Sequence, residues 1–90
     1  MIRFNYKEKL FVQVLFEQLK EIGLYVNLDI QANGACIHLI DKSCLPPVER
    51  NLVIVDDYGI ELIMELRLYQ YYDFNEKTLD EIVEHAKECL

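Results

Sequence analysis

Tryptophan is absent from this chain, serine and threonine occur once each, and three glycines, two prolines and three cysteines complete the sparse residue types. Each scarcity excludes a chemistry. Gly23, Gly34 and Gly59 are too scattered to build a glycine-rich phosphate loop. Ser43 and Thr78 are the only hydroxyl nucleophiles outside tyrosine, and Cys44 has no predictable histidine neighbour, so no nucleophile–base pair is marked. The odd set Cys36, Cys44 and Cys89 shows no close pairing and argues for reduced thiols rather than a disulfide framework. No Cys-x-x-Cys occurs. Cys36 with His38, and His85 with Cys89, are two-ligand pairs that fall short of a zinc site. Sixteen acids always permit a carboxylate pair, but nothing singles one out. The expectation is a protein that is not an enzyme, with no catalytic residue, no metal and no cofactor.

Long apolar runs are missing too. The longest is Leu52-Val53-Ile54-Val55, against the ~20 residues of a spanning helix. The opening Met1 to Lys9 contains Glu8 and no apolar signal-peptide core. A cytoplasmic protein without a membrane partner is expected. Positive charge is also scarce: nine Lys and Arg stand against sixteen Asp and Glu, a net charge of −7. Phosphate repulsion over such a surface disfavours direct nucleic-acid binding.

What remains is ample for a core. Apolar residues make up 52% of 90 residues, which excludes intrinsic disorder and fits a single domain over 1–90. Phe11, Leu15, Leu19 and Ile22 recur at helical steps, widened by Val12, Val14 and Phe16, and predict a helix over 4–22 ended by Gly23. From Leu24 the period becomes two. Asn33-Gly34 between alternating runs predicts a hairpin with a two-residue loop. That register sets Ile30 against Ile37, Asp29 against His38 and Leu28 against Leu39. Residues 41–51, with Pro46-Pro47, read as a connector. Leu52–Val55 reads as a strand, 57–59 as a three-residue loop with Gly59 left-handed, and 60–69 as a second alternating strand. The last helix starts near Asn75, with Phe74 and Leu79 as its hydrophobic staple, or at a competing Thr78 capping box, and runs to about Cys89.

The predicted fold class is α+β: two layers, with a four-stranded antiparallel sheet of two hairpins flanked by N- and C-terminal helices, order α-β-β-β-β-α. The strand order is either a meander or an arrangement with the second hairpin at either edge of the first. Two helices cover one sheet face. On the other, Tyr25, Ile40, Val53, Ile63 and Tyr69 form a candidate dimer face, unless a helix or the connector crosses over it.

Charge is divided unevenly. Residues 1–45 hold five acids and five bases, and residues 46–90 hold eleven acids and four bases. Such a run often only keeps a small protein soluble. Read as a contact surface, it faces a protein with a basic surface. Tyr69, Tyr71, Tyr72 and Phe74 lie beside it; alternate rings, Phe74 and with it Tyr72, are expected under the last helix, and one or two of the remaining tyrosines exposed. The candidate partner-binding set is Asp56, Asp57, Glu61, Glu65, Tyr69, Tyr71, Asp73, Asp80, Glu81 and Glu84.

In size and charge alone the chain is similar to the small acidic inhibitors of phages and mobile elements, the anti-CRISPR and anti-restriction proteins. That likeness implies a counter-defence inhibitor that blocks a nucleic-acid-binding complex by steric and electrostatic occlusion, and it carries no residue roles. In composition the chain also looks like small dimeric chaperones of the type III secretion kind or immunity-type proteins. These imply a homodimer that holds its partner through an apolar sheet face.

Overall fold

A computed structural model describes residues 4–90. Arg3, one of the five bases of residues 1–45, lies outside the described residues. The first helix, α1, runs Tyr6–Glu21. It begins two residues later than the periodicity predicts because Asn5 caps it. The Asn5 side chain accepts from the Lys7 N–H at 3.0 Å, and Glu8 reaches back to the Asn5 N–H at 3.3 Å. At the other end Gly23 takes φ +106°. Its N–H donates to the Lys20 carbonyl, and the Leu24 N–H donates to the Leu19 carbonyl, so the orphan carbonyls of the last turn are satisfied. Phe11, Val12, Leu15 and Leu19 are buried as predicted, whereas Val14 lies on the exposed side.

Five strands follow: β1 (Val26–Gln31), β2 (Gly34–Asp41), β3 (Val48–Asp56), β4 (Gly59–Ile63) and β5 (Leu68–Tyr71). They form one antiparallel meander in the order β1-β2-β3-β4-β5. Helix α2 (Glu76–Ala86) and a short 3-10 turn (Lys87–Cys89) complete the chain. Asn75 caps α2, accepting from the Thr78 N–H at 2.9 Å, and the Thr78 box is not used as a start. Both helices pack on one face of the sheet and against each other. The architecture is therefore α+β with two layers as expected, but with five strands instead of four.

The extra strand comes from a break in the predicted run 60–69. The Met64 N–H donates to the Arg67 carbonyl at 2.8 Å, closing a tight turn, and Leu66 at its tip is 93% exposed. Continuous alternation would have buried Leu66 and Leu68. The turn instead reverses the chain, leaves Leu68 62% exposed and sends Tyr69 toward the helices.

Both hairpin registers also differ from expectation. The first loop is Ala32-Asn33, so Ile30 pairs with Ala35, Leu28 with Ile37, and Asp29 with Cys36. The slip is two residues, which keeps every side chain on its predicted face. Gly34 is a strand residue because it lies against β3: a Cβ there would sit 2.3 Å from the Val55 carbonyl oxygen. The second loop is the two residues Asp57-Tyr58, braced by Asp56 accepting from the Tyr58 N–H at 2.8 Å. Gly59 does take φ +131°, as predicted, but pairs with Asp56.

The connector is shorter than predicted, because β3 begins at Val48. Its register against β2 shifts between Ile37 and His38: Ile37 pairs with Val53, but His38 pairs with Asn51. Leu52 is the extra residue of a bulge, and Leu52 and Val53 are both fully buried. They enter a core shared with Leu15, Leu19, Ile37, Ile60, Leu62 and Ile82.

Candidate functional site

Two surfaces emerge from this frame. The first is the sheet face turned away from the helices. Strand parity places Tyr25, Asn27, Asp29 and Gln31 there, with Cys36, His38 and Ile40 of β2. Beyond the bulge the face continues with Glu49, Asn51, Ile54 and Asp56 of β3, Glu61 and Ile63 of β4, and Leu68 and Gln70 of β5. Side-chain contacts agree with the register. Asn27 Nδ2 donates to Glu49 Oε1 at 2.7 Å, and the Cys36 thiol donates to Asn51 Oδ1 at 3.3 Å. Burial pushes the Cys36 thiol up from its ordinary range, and the Asp29 carboxylate beside it adds to the shift. Cys36 on this strand is thus a protonated donor rather than a poised thiolate.

Of the five residues in the candidate dimer face, Tyr25, Ile40 and Ile63 lie on this surface. Val53 and Tyr69 do not: Val53 is fully buried on the helix side, and Tyr69 packs against α2. The bulge reverses the parity of β3 relative to a strict alternation, and the 64–67 turn does the same for β5. Ile54 and Leu68 occupy the face instead. For Ile54 the apolar run 52–55 was the only sequence signal, since a run without alternation does not reveal which residue points which way. The expected pairing of His38 with Asp29 is likewise replaced: His38 stands between Asn27 and Asn51, and Asp29 faces Cys36.

The second surface lies where β5 meets α2. Tyr69 stacks on His85, with ring centroids 4.0 Å apart and planes 19° from parallel. Two residues on, Tyr71 and Tyr72 line a shallow groove of about 260 Å³ with Asp73, Lys77 and Glu81. Partial burial raises the Tyr71 phenol above its ordinary range, helped by the Glu81 carboxylate and by Tyr69. Tyr72 is exposed and does not pack under the helix, whereas Phe74 does pack, meeting the Phe11 ring edge-on at 5.2 Å. The solvent side of α2 extends this surface with Asp80, Glu81 and Glu84, continued by Glu88 in the 3-10 turn. Asp80 with Glu84 sits one helical turn apart, a like-charge spacing that costs an isolated helix a few tenths of a kcal/mol.

The ten residues of the predicted contact set are not all brought together. Tyr69, Tyr71, Asp73, Asp80, Glu81 and Glu84 gather on β5, α2 and the link between them. Glu61 and Asp56 lie on the open sheet face, Asp57 sits in the β3–β4 loop, and Glu65 is in the 64–67 turn. Among the described residues only Glu17 and Glu84 form ion pairs, with Lys20 at 3.8 Å and Lys87 at 3.1 Å, and both pairs are exposed. Exposed pairs of this kind contribute about 0–1 kcal/mol each, so most of the negative field is left unneutralised.

A cleft of about 530 Å³ lies beside the 3-10 turn, lined by Arg50, Arg67, Glu65, Glu88, Met64 and Cys89. Burial raises the Cys89 thiol, and Arg50 opposes that shift. Two guanidinium groups and two carboxylates share the cleft, so its charge is balanced and selects no ligand sign. Among the described residues no group of three or more His, Cys, Asp or Glu side chains converges as a metal site would require. No described helix is long and apolar enough to cross a membrane. In comparison with known proteins, no family model matches the chain, and no curated protein or solved structure matches it.

Proposed function

We propose that the chain is a non-catalytic protein-binding domain whose β5–α2 edge occupies a basic surface on its partner, and that a nucleic-acid-binding complex is the target. The observation that supports this is the continuity of the acidic side of α2, Asp80, Glu81 and Glu84, with the tyrosine groove of Tyr71, Tyr72 and Asp73. Carboxylates held on a rigid helix oppose a groove built for phosphates, because such a groove responds to field and spacing. Tyrosines at the rim add contact area at low entropic cost. Association would be fast and salt-sensitive.

The test is a pull-down from lysate at low and high salt, with nucleic acid as competitor, using the intact chain and the Asp80→Lys/Glu81→Lys/Glu84→Lys variant. Recovery of a basic nucleic-acid-binding complex, displaced by nucleic acid and weakened about tenfold (~1.4 kcal/mol) in the variant, agrees with the proposal. Unchanged binding by the variant would remove α2 from the contact. A second reading, a chaperone- or immunity-like module holding its partner by the open sheet face, draws on Ile54, Ile63 and Leu68 standing on that face. Salt-indifferent recovery of one partner, lost in Ile63→Lys, would favour it.

A further inference from the structure

The open sheet face combines two features that together specify an occupant. The first is apolar. Ile63 pairs with Leu68 across β4 and β5, Ile54 stands diagonally from Ile63 on β3 with Glu61 as its direct partner, and Ile40 is set apart on β2 opposite Glu49. Both helices lie on the opposite face, and Leu45, the large apolar residue of the connector, is 95% exposed and covers nothing. Leu68 itself is 62% exposed.

The second feature is charge. Glu61 directly partners Ile54 and Glu49 directly partners Ile40, Asp29 and Asp56 stand on the same face, and no lysine or arginine occupies a register position of it. The groups that do meet two of these carboxylates are amides: Asn27 donates to Glu49, and Gln31 donates to Asp29 at 3.3 Å. His38 is the one basic side chain on the strands here. Lys42 reaches only the Tyr25 end, where its ammonium lies 3.8 Å from the ring centroid.

These features decide among the candidate occupants. A second copy docked face to face would set one carboxylate-bearing face against another with no lysine or arginine on either to answer it, a like-charge arrangement that disfavours a two-fold pairing. Nucleic acid and anionic lipid meet the same repulsion. A polar ligand leaves the isoleucines wet. We infer that the open sheet face docks an amphipathic segment of a partner protein, apolar along its centre and flanked by lysine or arginine. This rests on the protein-binding reading, though not on the acidic side of α2, and gives the domain a second surface.

The test uses the isotopically labelled full chain and a helical Leu/Lys peptide of about 18 residues, roughly 27 Å long, with its leucines on one side. A Leu/Glu peptide of the same pattern is the control. The expected result is a set of amide shifts centred on Ile54, Ile63 and Leu68 with the Leu/Lys peptide and none with Leu/Glu. Leu68→Lys, at a position exposed enough to spare the fold, should weaken binding at least tenfold. The Asp80→Lys/Glu81→Lys/Glu84→Lys variant should bind the peptide at this face as the parent does. Shifts confined to α2 would overturn the inference while leaving the β5–α2 proposal standing. Equal binding of the Leu/Glu peptide, no shifts with either peptide, or self-association abolished by Leu68→Lys would each overturn it as well.

Discussion

The Tyr69 ring lies nearly flat on the His85 imidazole, 4.0 Å between centroids, and this stack ties the edge strand β5 to helix α2. Because Tyr71 and Glu81 follow one strand repeat and one helical turn away, the stack also sets the spacing of the tyrosine groove from the acidic side of α2. Replacing Tyr69 by Ala should cost about 2–3 kcal/mol, since the ring is half-buried and its loss leaves His85 without its partner. Urea denaturation would measure this, with an unchanged m-value showing that the fold survives. The ring-current shift of the His85 protons should vanish in the same variant.

Two glycines should fail for different reasons when replaced by alanine. At Gly34 the backbone has no left-handed requirement, yet the new methyl would lie 2.3 Å from the Val55 carbonyl oxygen. The β2–β3 ladder must open, and a cost of about 3 kcal/mol is expected. At Gly23 the nearest atom is Leu90 Cδ2 at 3.7 Å, so space is ample and only the φ of +106° is strained. About 1–2 kcal/mol is expected there. Thermal melts of the two variants, with hydrogen exchange of the β2 and β3 amides, separate the cases: only Gly34→Ala should lose protection in β3.

The bulge predicts an unusual mutational pattern along three consecutive residues. Leu52→Ala and Val53→Ala should both be strongly destabilising, by about 2–5 and 1–3 kcal/mol, because both side chains are fully buried. Ile54→Ala, on the open face, should cost about 1 kcal/mol or less. A strictly alternating strand would instead make Val53 differ from both its neighbours. Equilibrium denaturation of the three single variants distinguishes the patterns.

Stability should fall on the alkaline side. The Cys36 and Cys89 thiols are raised above 9.0 and the Tyr71 phenol above 10.0, in each case chiefly by burial. A folded state that holds its protons more tightly than the unfolded chain is favoured below those values and loses that advantage as pH rises through the raised ones. The decline should begin near pH 9, and Cys36→Ser with Cys89→Ser and Tyr71→Phe should flatten it. Asp41 acts in the opposite direction. The Ser43 hydroxyl and then the Ser43 backbone N–H donate to its carboxylate and hold it below 3.8, so its contribution is present above that pH and lost below it. Melting temperatures across pH 3–11 for the parent and variants would check both limbs.

What could be read without a structure was whatever a few neighbouring residues decide among themselves. The apolar spacing of Phe11, Leu15 and Leu19, the left-handed exits at Gly23 and Gly59, and the Asn75 cap all act within about one turn of chain. The two-layer α+β class followed from them, because two amphipathic helices and alternating strands have few ways to bury their apolar sides. The acidic half and the tyrosine cluster were equally legible as composition.

Tertiary structure alone decided which residues share a surface. A strand pattern of period two assigns sides only relative to an origin, and a single inserted residue inverts every assignment beyond it. Leu52 is such an insertion: it and Val53 both turn into the core, and Ile54 turns outside. The 64–67 turn did the same for Tyr69 and Leu68. Gly34 joined β2 because it must lie against Val55, 21 residues away, a contact invisible in the local Asn-Gly signal. The helices were written in their own sequence; the faces of the sheet, and so both candidate surfaces, depend on long-range register.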